Sequence, residues 1–346
     1  AFTAVLIVAC PCALALSTPF TMSAALSIFD KNLFYLKNTA VVEQLARINT
    51  IALDKTGTVT SSNGTQVDTA VELAAHEKQI IFSICSNSNH PLSRMICKYL
   101  GNLKKVPVTN YAEGPGKCIS AIVGYYNVRL GSADFVFDYS NVTAFGNRVY
   151  IKIAAAYHDY FSFRQRYREG INKIAALGES YNLYLLSGDE DSEREQLDIF
   201  FKGNAQMHFG KSPQQKLDFI SNLQQAGRKV MMVGDGLNDS GALKQSDLGI
   251  AITDDVNNFS PGSDAILDGR SFGKLPAFLK FAKDTVKVIR FSFLISLTYN
   301  IIGLSYAVTG KLSPLTAAIL MPLSTITIIS FTSIATHLAA KKRKLL

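Results

Sequence analysis

The stretch Thr50-Ile51-Ala52-Leu53-Asp54-Lys55-Thr56-Gly57-Thr58-Val59-Thr60 joins a short apolar run to an aspartate, a lysine and a turn of small, hydroxyl-bearing residues. An apolar run of this length, with no helical period, reads as a buried strand. Asp54 then stands at the strand end as a carboxylate nucleophile, with the Lys55 cation beside it. Thr56, Gly57 and Thr58 form a turn whose amides and hydroxyls can face phosphate oxygens. An isolated Asp-Lys pair would most often only cap a strand; seven such residues in this order, Asp54 to Thr60, favour chemistry.

Two more apolar runs end in the same way. Leu183-Tyr184-Leu185-Leu186 precedes Ser187-Gly188-Asp189, and Val230-Met231-Met232-Val233 precedes Gly234-Asp235-Gly236. Amphipathic helices alternate with such runs, the pattern of a parallel α/β sheet. Ligands of open parallel sheets bind beyond the carboxyl ends of the strands, so acidic residues at three ends predict one phosphate and magnesium centre. More than a hundred residues separate the first run from the second. Helices are expected there over His76–Asn87 and Leu92–Leu100, with extended structure over Ile119–Leu130 and Arg148–Ala156, which fits an inserted second domain.

Hydrophobic residues make up 48% of the 346, and they crowd toward the two ends of the chain. No charge precedes Asp30, and Ala1–Ile28 is long enough for one bilayer crossing of roughly 20 residues. A secretory signal would need an initiating Met and a basic region; the chain opens in mid-run at Ala1, so the start reads as a truncation. Val288–Val308 and Pro314–Leu338 read as two further crossings around the turn Thr309–Ser313. Lys280, Lys283, Lys287 and Arg290 before them, and Lys341, Lys342, Arg343 and Lys344 after them, predict a cytoplasmic middle region. These flanks supply much of the net charge of +8, and no basic stripe with interleaved aromatics supports nucleic-acid binding. The five cysteines imply no disulfide framework. Cys10-Pro11-Cys12 sits inside the first apolar run, where Pro opens the helix and two thiols suit a soft metal.

Together these motifs resemble the heavy-metal (P1B-type) P-type ATPases, whose phosphorylated motif is Asp-Lys-Thr-Gly-Thr. The resemblance implies an α/β haloacid-dehalogenase-like phosphorylation domain, an inserted α+β nucleotide-binding domain and three transmembrane helices. It places a membrane helix at 1–29, the phosphorylation domain at 30–60 and 161–272, and the nucleotide domain at 61–160. Two membrane helices follow at 273–340, then a basic cytoplasmic tail at 341–346. Asp54 is implied to become the aspartyl-phosphate, with Lys55, Thr56 and Thr58 around it. Soluble phosphatases of this fold carry a second Asp where Thr56 stands, so a long-lived phosphoenzyme is expected. Gly234-Asp235-Gly236-Leu237-Asn238-Asp239 matches the family hinge motif, which gives Mg²⁺ to Asp54, Thr56 and Asp235, with Asn238 and Asp239 in support. Ser187, Gly188 and Asp189 stand for Thr-Gly-Asp, and Lys216 after Ser212-Pro213 matches the lysine that neutralises phosphoryl charge.

Ser88-Asn89-His90-Pro91-Leu92 resembles the branch signature Ser-Glu-His-Pro-Leu, and Gly114-Pro115-Gly116 the nucleotide loop, so His90, Gly114 and Gly116 are implied to hold ATP. Asn89 removes a carboxylate found in the family. For the transported ion the resemblance implies Cys10 and Cys12 with Tyr299-Asn300 and Met321-Pro322-Leu323-Ser324-Thr325. No carboxylate lies between Phe291 and Thr336, so Cu(+) is favoured over Zn or Cd, with Ag indistinguishable. ATP-driven export through a bacterial plasma membrane follows, with a copper chaperone as partner and a subtype similar to pumps serving cytochrome oxidase maturation. Leu177-Gly178-Glu179-Ser180 only superficially matches an actuator loop, and no actuator domain is read in the chain. The rivals are a membrane-tethered phosphohydrolase without transport, and a non-catalytic metal-binding remnant.

Overall fold

Val230-Met231-Met232-Val233 and Thr50-Ile51-Ala52-Leu53 lie side by side, and both are buried on every residue. Such continuous burial is what a parallel sheet covered on both faces requires. The computed structural model describes residues 2–9, 12–69, 71–114, 118–137, 148–154, 157–189, 191–236, 238–254 and 262–346. In chain order these form α1 (Phe2–Val8), α2 (Cys12–Lys31), β1 (Phe34–Leu36), α3 (Ala40–Arg47) and β2 (Thr50–Asp54). Next come β3 (Thr60–Thr69), α4 (Ala75–Cys85), α5 (Pro91–Leu100), β4 (Val108–Gly114), β5 (Cys118–Val123) and β6 (Tyr126–Gly131). After these stand α6 (Ala133–Phe137), β7 (Arg148–Ile153), β8 (Tyr157–Tyr167), α7 (Ile171–Ala175), β9 (Asn182–Leu186), α8 (Arg194–Phe201) and β10 (Gln206–His208). The chain closes with α9 (Pro213–Gln225), β11 (Val230–Gly234), α10 (Ser240–Gln245), β12 (Leu248–Thr253), β13 (Ala265–Asp268), α11 (Leu275–Val308) and α12 (Pro314–Lys342).

Two compact units result, one of residues 1–62 and 167–346 and the other of residues 63–166. The first holds a seven-stranded sheet in the order β1-β13-β12-β11-β2-β9-β10, parallel except at β1. Along β2 the side chains alternate: Ile51 and Leu53 join one core, Ala52 the other. The first core also takes in Phe29 of α2, Phe34 of β1 and Phe278 and Phe281 of α11, all fully buried. Their rings meet edge to face or tilted at 5.2–5.7 Å, and Phe34 stacks on Phe278 at 4.9 Å. Each buried ring contributes roughly 1.5–3 kcal/mol, so the lower ends of α2 and α11 are fixed to the sheet rather than loosely tethered.

Beyond that aromatic cluster the burial pattern inverts. Phe291, Leu294, Ile301, Leu315, Ile319, Leu323, Ile334 and Leu338 are exposed, while Ser292, Ser296, Ser324, Thr332 and Thr336 are buried between helices. Apolar side chains outward and small hydroxyls inward are what a lipid surround selects. The chain is an integral membrane protein by this pattern, and α11 and α12 are long and apolar enough to cross a bilayer. Their connection turns at Gly310, φ +74°, and Ser313 caps α12 by accepting from Thr316 N–H, with Pro314 in the first turn. The first apolar run is two helices, not one: α1 ends at Val8 and α2 starts at Cys12. Gly303 admits α1 closely, since a Cβ there would stand 3.0 Å from Val8.

The second unit holds a six-stranded sheet, β3-β8-β7-β6-β5-β4, antiparallel from β8 to β4. Ile81 and Ile84 of α4 and Ile96 of α5 pack on Val123, Val128, Ile151 and Phe161. The extended segment Ile119–Leu130 proves to be a hairpin, β5 and β6, turning at Gly124 with φ +63°.

Candidate active site and ligand-binding regions

Asp54 ends β2 between the ends of β11 and β9, so the sheet order brings the three acidic turns together. Asp54 is 3% exposed, and the ammonium of Lys216 stands 2.5 Å from its Oδ1 and 2.8 Å from Oδ1 of Asp239. Lys216 is delivered by the cap of α9: Ser212 Oγ accepts from Gln215 N–H, Gln215 Oε1 accepts from Ser212 N–H, and Pro213 fixes the first turn. Burial, then the charge of Asp239, push the Asp54 carboxyl up to about 7, with Lys216 opposing. Burial likewise raises Asp239, although Lys216 donates to it. Lys216 itself is pulled both ways; burial disfavours its charge, but Asp54 and Asp239 outweigh burial and raise its pKa.

Lys55 points to the other side. Its ammonium is 2.7 Å from Asp189 and 2.9 Å from Glu193, and these hydrogen bonds outweigh burial and keep it charged. Thr56 Oγ1 donates to Asp189 Oδ2 at 3.1 Å, and Asp189 N–H donates to Ser187 Oγ at 3.0 Å. The turn between Lys55 and Thr60 depends on Gly57, which has φ +72°; a Cβ there would stand 3.1 Å from that of Asp235. Arg168 holds the turn from outside by donating to the carbonyls of Gly57 and Thr58, each at 2.8 Å, while pairing with Asp254. Asn238 N–H donates to Asp235 Oδ1 at 3.3 Å. Gly188 lies in the turn after β9 beside Lys211.

Two buried polar atoms here have no hydrogen-bond partner among the described residues, Asp239 Oδ2 and Thr58 Oγ1. Buried polar groups are rarely left so. The single ammonium of Lys216 is shared by two buried carboxylates, Asp54 and Asp239. Among the described residues no three His, Cys, Asp or Glu side chains form a ready-made metal cage. A magnesium ion, which completes its shell with water and phosphate oxygens, fits this arrangement, and so does a phosphoryl group.

In the second unit a cavity of about 330 Å³ is lined by His90, Ile96, Glu113, Gly114, Cys118, Asp134 and Arg148. His90 caps α5; its Nδ1 accepts from Leu92 N–H at 3.2 Å, which leaves the proton of the neutral ring on Nε2. Glu113, which sequence reasoning passed over, accepts from Ser88 Oγ at 2.6 Å and Tyr111 OH at 2.8 Å, and these bonds hold its carboxyl below the usual range. Asn89 is turned to Arg94 instead. A Cβ at Gly114 would stand 2.7 Å from Cys118 Sγ, so the glycine keeps this wall thin. Gly116 lies outside the described residues.

In the membrane helices Tyr299 OH donates to the Leu320 carbonyl at 3.2 Å, tying α11 to α12 one residue before Met321. Ser324 and Thr325 hydroxyls both donate to the Met321 carbonyl, just before Pro322, which α12 carries inside an unbroken helix. Met321 and Ser324 are buried, and Asn300 is half-buried. Cys10 lies outside the described residues; Cys12 opens α2, and its side chain lies outside them too. Glu193, Arg168 and Asp254 were also missed. No spacing rule could have found them, because each meets its partner only through the fold.

A profile of haloacid dehalogenase-like hydrolases matches residues 48–247, more than half of the chain, and the chain belongs to that family. Its fold, with the inserted second unit and the membrane helices, is that of the P-type ATPases. Copper-exporting P-type ATPases of Staphylococcus saprophyticus and Staphylococcus aureus are 28% and 27% identical over 94% of this chain. The chain spans 43% and 42% of their lengths, under half of the curated relatives it matches. A zinc-transporting PIB-type ATPase in its E2.Pi state superposes with a TM-score of 0.80 at 21% identity, over 95% of this chain and 56% of that one. The catalytic domain of the CPx-ATPase CopB-B gives 0.51 at 22% identity, over 74% of this chain and 99% of that one.

Proposed function

We propose that this chain is the catalytic and carboxy-terminal membrane part of an ATP-driven pump that exports Cu(+) through an aspartyl-phosphate on Asp54. The observation that carries the proposal is Lys216 held between Asp54 and Asp239 at the end of β2, facing a turn that only Gly57 permits. The ionised Asp54 carboxylate attacks the γ-phosphorus of ATP. The bond from that phosphorus to the bridging oxygen breaks, ADP leaves with the electron pair, and an acyl phosphate remains. Lys216 and the Thr58 hydroxyl face the transferred group, and Lys55, braced by Asp189 and Glu193, keeps the turn in place. Asp54, Asp235 and Thr56 would hold Mg²⁺, which when bound neutralises phosphoryl charge. Ser187, Gly188, Asp189 and Asn238 complete the surround.

ATP is held in the second unit by His90, Glu113 and the loop from Gly114 to Gly116. For the ion, Cys10, Cys12, Tyr299, Asn300, Met321 and Ser324 form a soft, carboxylate-free set, which favours Cu(+) over the zinc moved by one structural neighbour. On this reading the α1–α2 pair is the third crossing, and the basic flanks of α11 and α12 support a cytoplasmic side for the catalytic units in a bacterial cell. A copper chaperone would deliver the ion. The test is ATP hydrolysis by the full-length protein in liposomes: stimulation by Cu(+) and not by Zn²⁺ is expected, and stimulation by Zn²⁺ alone would overturn the ion assignment.

A further inference from the structure

α3 and α11 pack against each other, and on one side of their contact a cavity of about 200 Å³ opens, lined by Glu43, Ala46, Arg47, Lys283, Lys287 and Arg290. Four cations thus surround one carboxylate. On α11 the three lining cations follow at i, i+4 and i+7, so they share one face. Glu43 is already engaged by Arg47 at 3.1 Å, and Lys283 is held by Tyr181, whose hydroxyl is 2.8 Å away. Lys287 and Arg290 are exposed and have no acceptor among the described residues. Cations gathered around a concavity without matching carboxylates call for an anion.

Where the cavity sits says which anion. Arg290 is the last charge on α11; Phe291, Phe293, Leu294 and Leu297, all exposed apolar residues, follow at once. Beside it Lys341 and Lys342 end α12, where Arg343 pairs with Asp284 of α11. These charges mark the bilayer edge, so the cavity lies at headgroup depth beside lipid-facing apolar surface. We infer that this cavity binds the phosphate of an anionic phospholipid whose acyl chains lie along the Phe291–Leu297 face of α11. Ala46 and Val286 are the apolar part of its lining. Because α3 leads directly into β2 and Asp54, an occupied site would brace the strand that carries the nucleophile.

Retention of phosphatidylglycerol by the full-length protein, measured by native mass spectrometry from detergent at 0.15 M salt, tests the inference. Arg290→Gln with Lys287→Gln removes two cations whose side chains hold nothing else. Each such cation contributes about fivefold to anionic-lipid binding, so a loss of about thirtyfold is expected. Lys341→Gln with Lys342→Gln removes equal charge from the same membrane side but outside the cavity, and retention close to that of the unaltered protein is expected. Phosphatidylcholine with the same chains should not be retained, and inorganic phosphate should not displace phosphatidylglycerol. Equal losses in both double variants would reduce the effect to bulk charge and overturn the inference. Displacement by inorganic phosphate would overturn the lipid assignment.

Discussion

Lys216 reaches back across 162 residues of sequence to place its ammonium 2.5 Å from the Asp54 carboxylate. The same ammonium bonds Asp239, so one cation serves two buried carboxylates. Replacing it with Met leaves both uncompensated, and breaking a buried pair costs about 3–5 kcal/mol. Thermal unfolding of Lys216→Met in a magnesium chelator should therefore begin well below that of the unaltered protein. Lys216→Arg should recover part of the difference. Unchanged unfolding in the Met variant would mean that the lysine is not what neutralises the pair.

Asp54 gives a prediction of opposite sign. Its pKa in the folded chain is raised from 3.8 to about 7, chiefly by burial. The native protein therefore holds a proton there that the unfolded chain has lost. Stability from this group is full below about pH 4, falls as pH rises toward 7, and is level above; the loss is on the order of a few kcal/mol at most. With magnesium chelated, the unaltered protein should lose thermal stability between about pH 4 and 7, while Asp54→Asn loses markedly less. Equal slopes would refute the buried-carboxylate account. Magnesium should flatten the slope, since its binding needs the ionised form.

Gly57 carries φ +72° and faces Asp235. Gly57→Ala should cost roughly 1–2 kcal/mol from the backbone alone, and the displaced Asp235 should weaken magnesium binding. Calorimetric titration of Mg²⁺ into the variant checks this; unchanged affinity would separate the turn from the metal.

Glu113 is fixed by two hydroxyls at the wall of the cavity that holds His90. Glu113→Gln keeps one acceptor oxygen and turns an amide NH2 toward the other hydroxyl, so one of the two bonds is lost, at about 1.5–3 kcal/mol for a bond to a charged group. ATP affinity of the full-length protein should fall about tenfold or more, read by equilibrium binding. An unchanged dissociation constant would place the nucleotide elsewhere.

The parallel sheet was legible because its central strands are covered on both faces and so appear as unbroken apolar runs, each ending in acid and glycine. Lys216 was legible through its Ser-Pro cap, a local signal that the structure turns into a capping box. What the sequence hid is set by long-range geometry. Arg168 binds the carbonyls of Gly57 and Thr58 from 111 and 110 residues away, and main-chain acceptors leave no trace in residue type. Glu193 reaches Lys55 across 138 residues. Glu113 lay hidden because it meets Ser88 only through the fold, 25 residues away in sequence. The opening apolar run reads as one helix because hydropathy registers length and not where a helix ends, here at Val8 for α1.

The central claim is that a soft metal ion and Asp54 act in one cycle. Acid-stable incorporation of ³²P from labelled ATP into the full-length protein, with and without Cu(+) and with Cys10 and Cys12 changed to Ser, tests it most directly. Label that requires Cu(+), and that disappears in the Cys variants and in Asp54→Asn, is the predicted result. Label that forms equally without Cu(+) and survives loss of both cysteines would contradict the account.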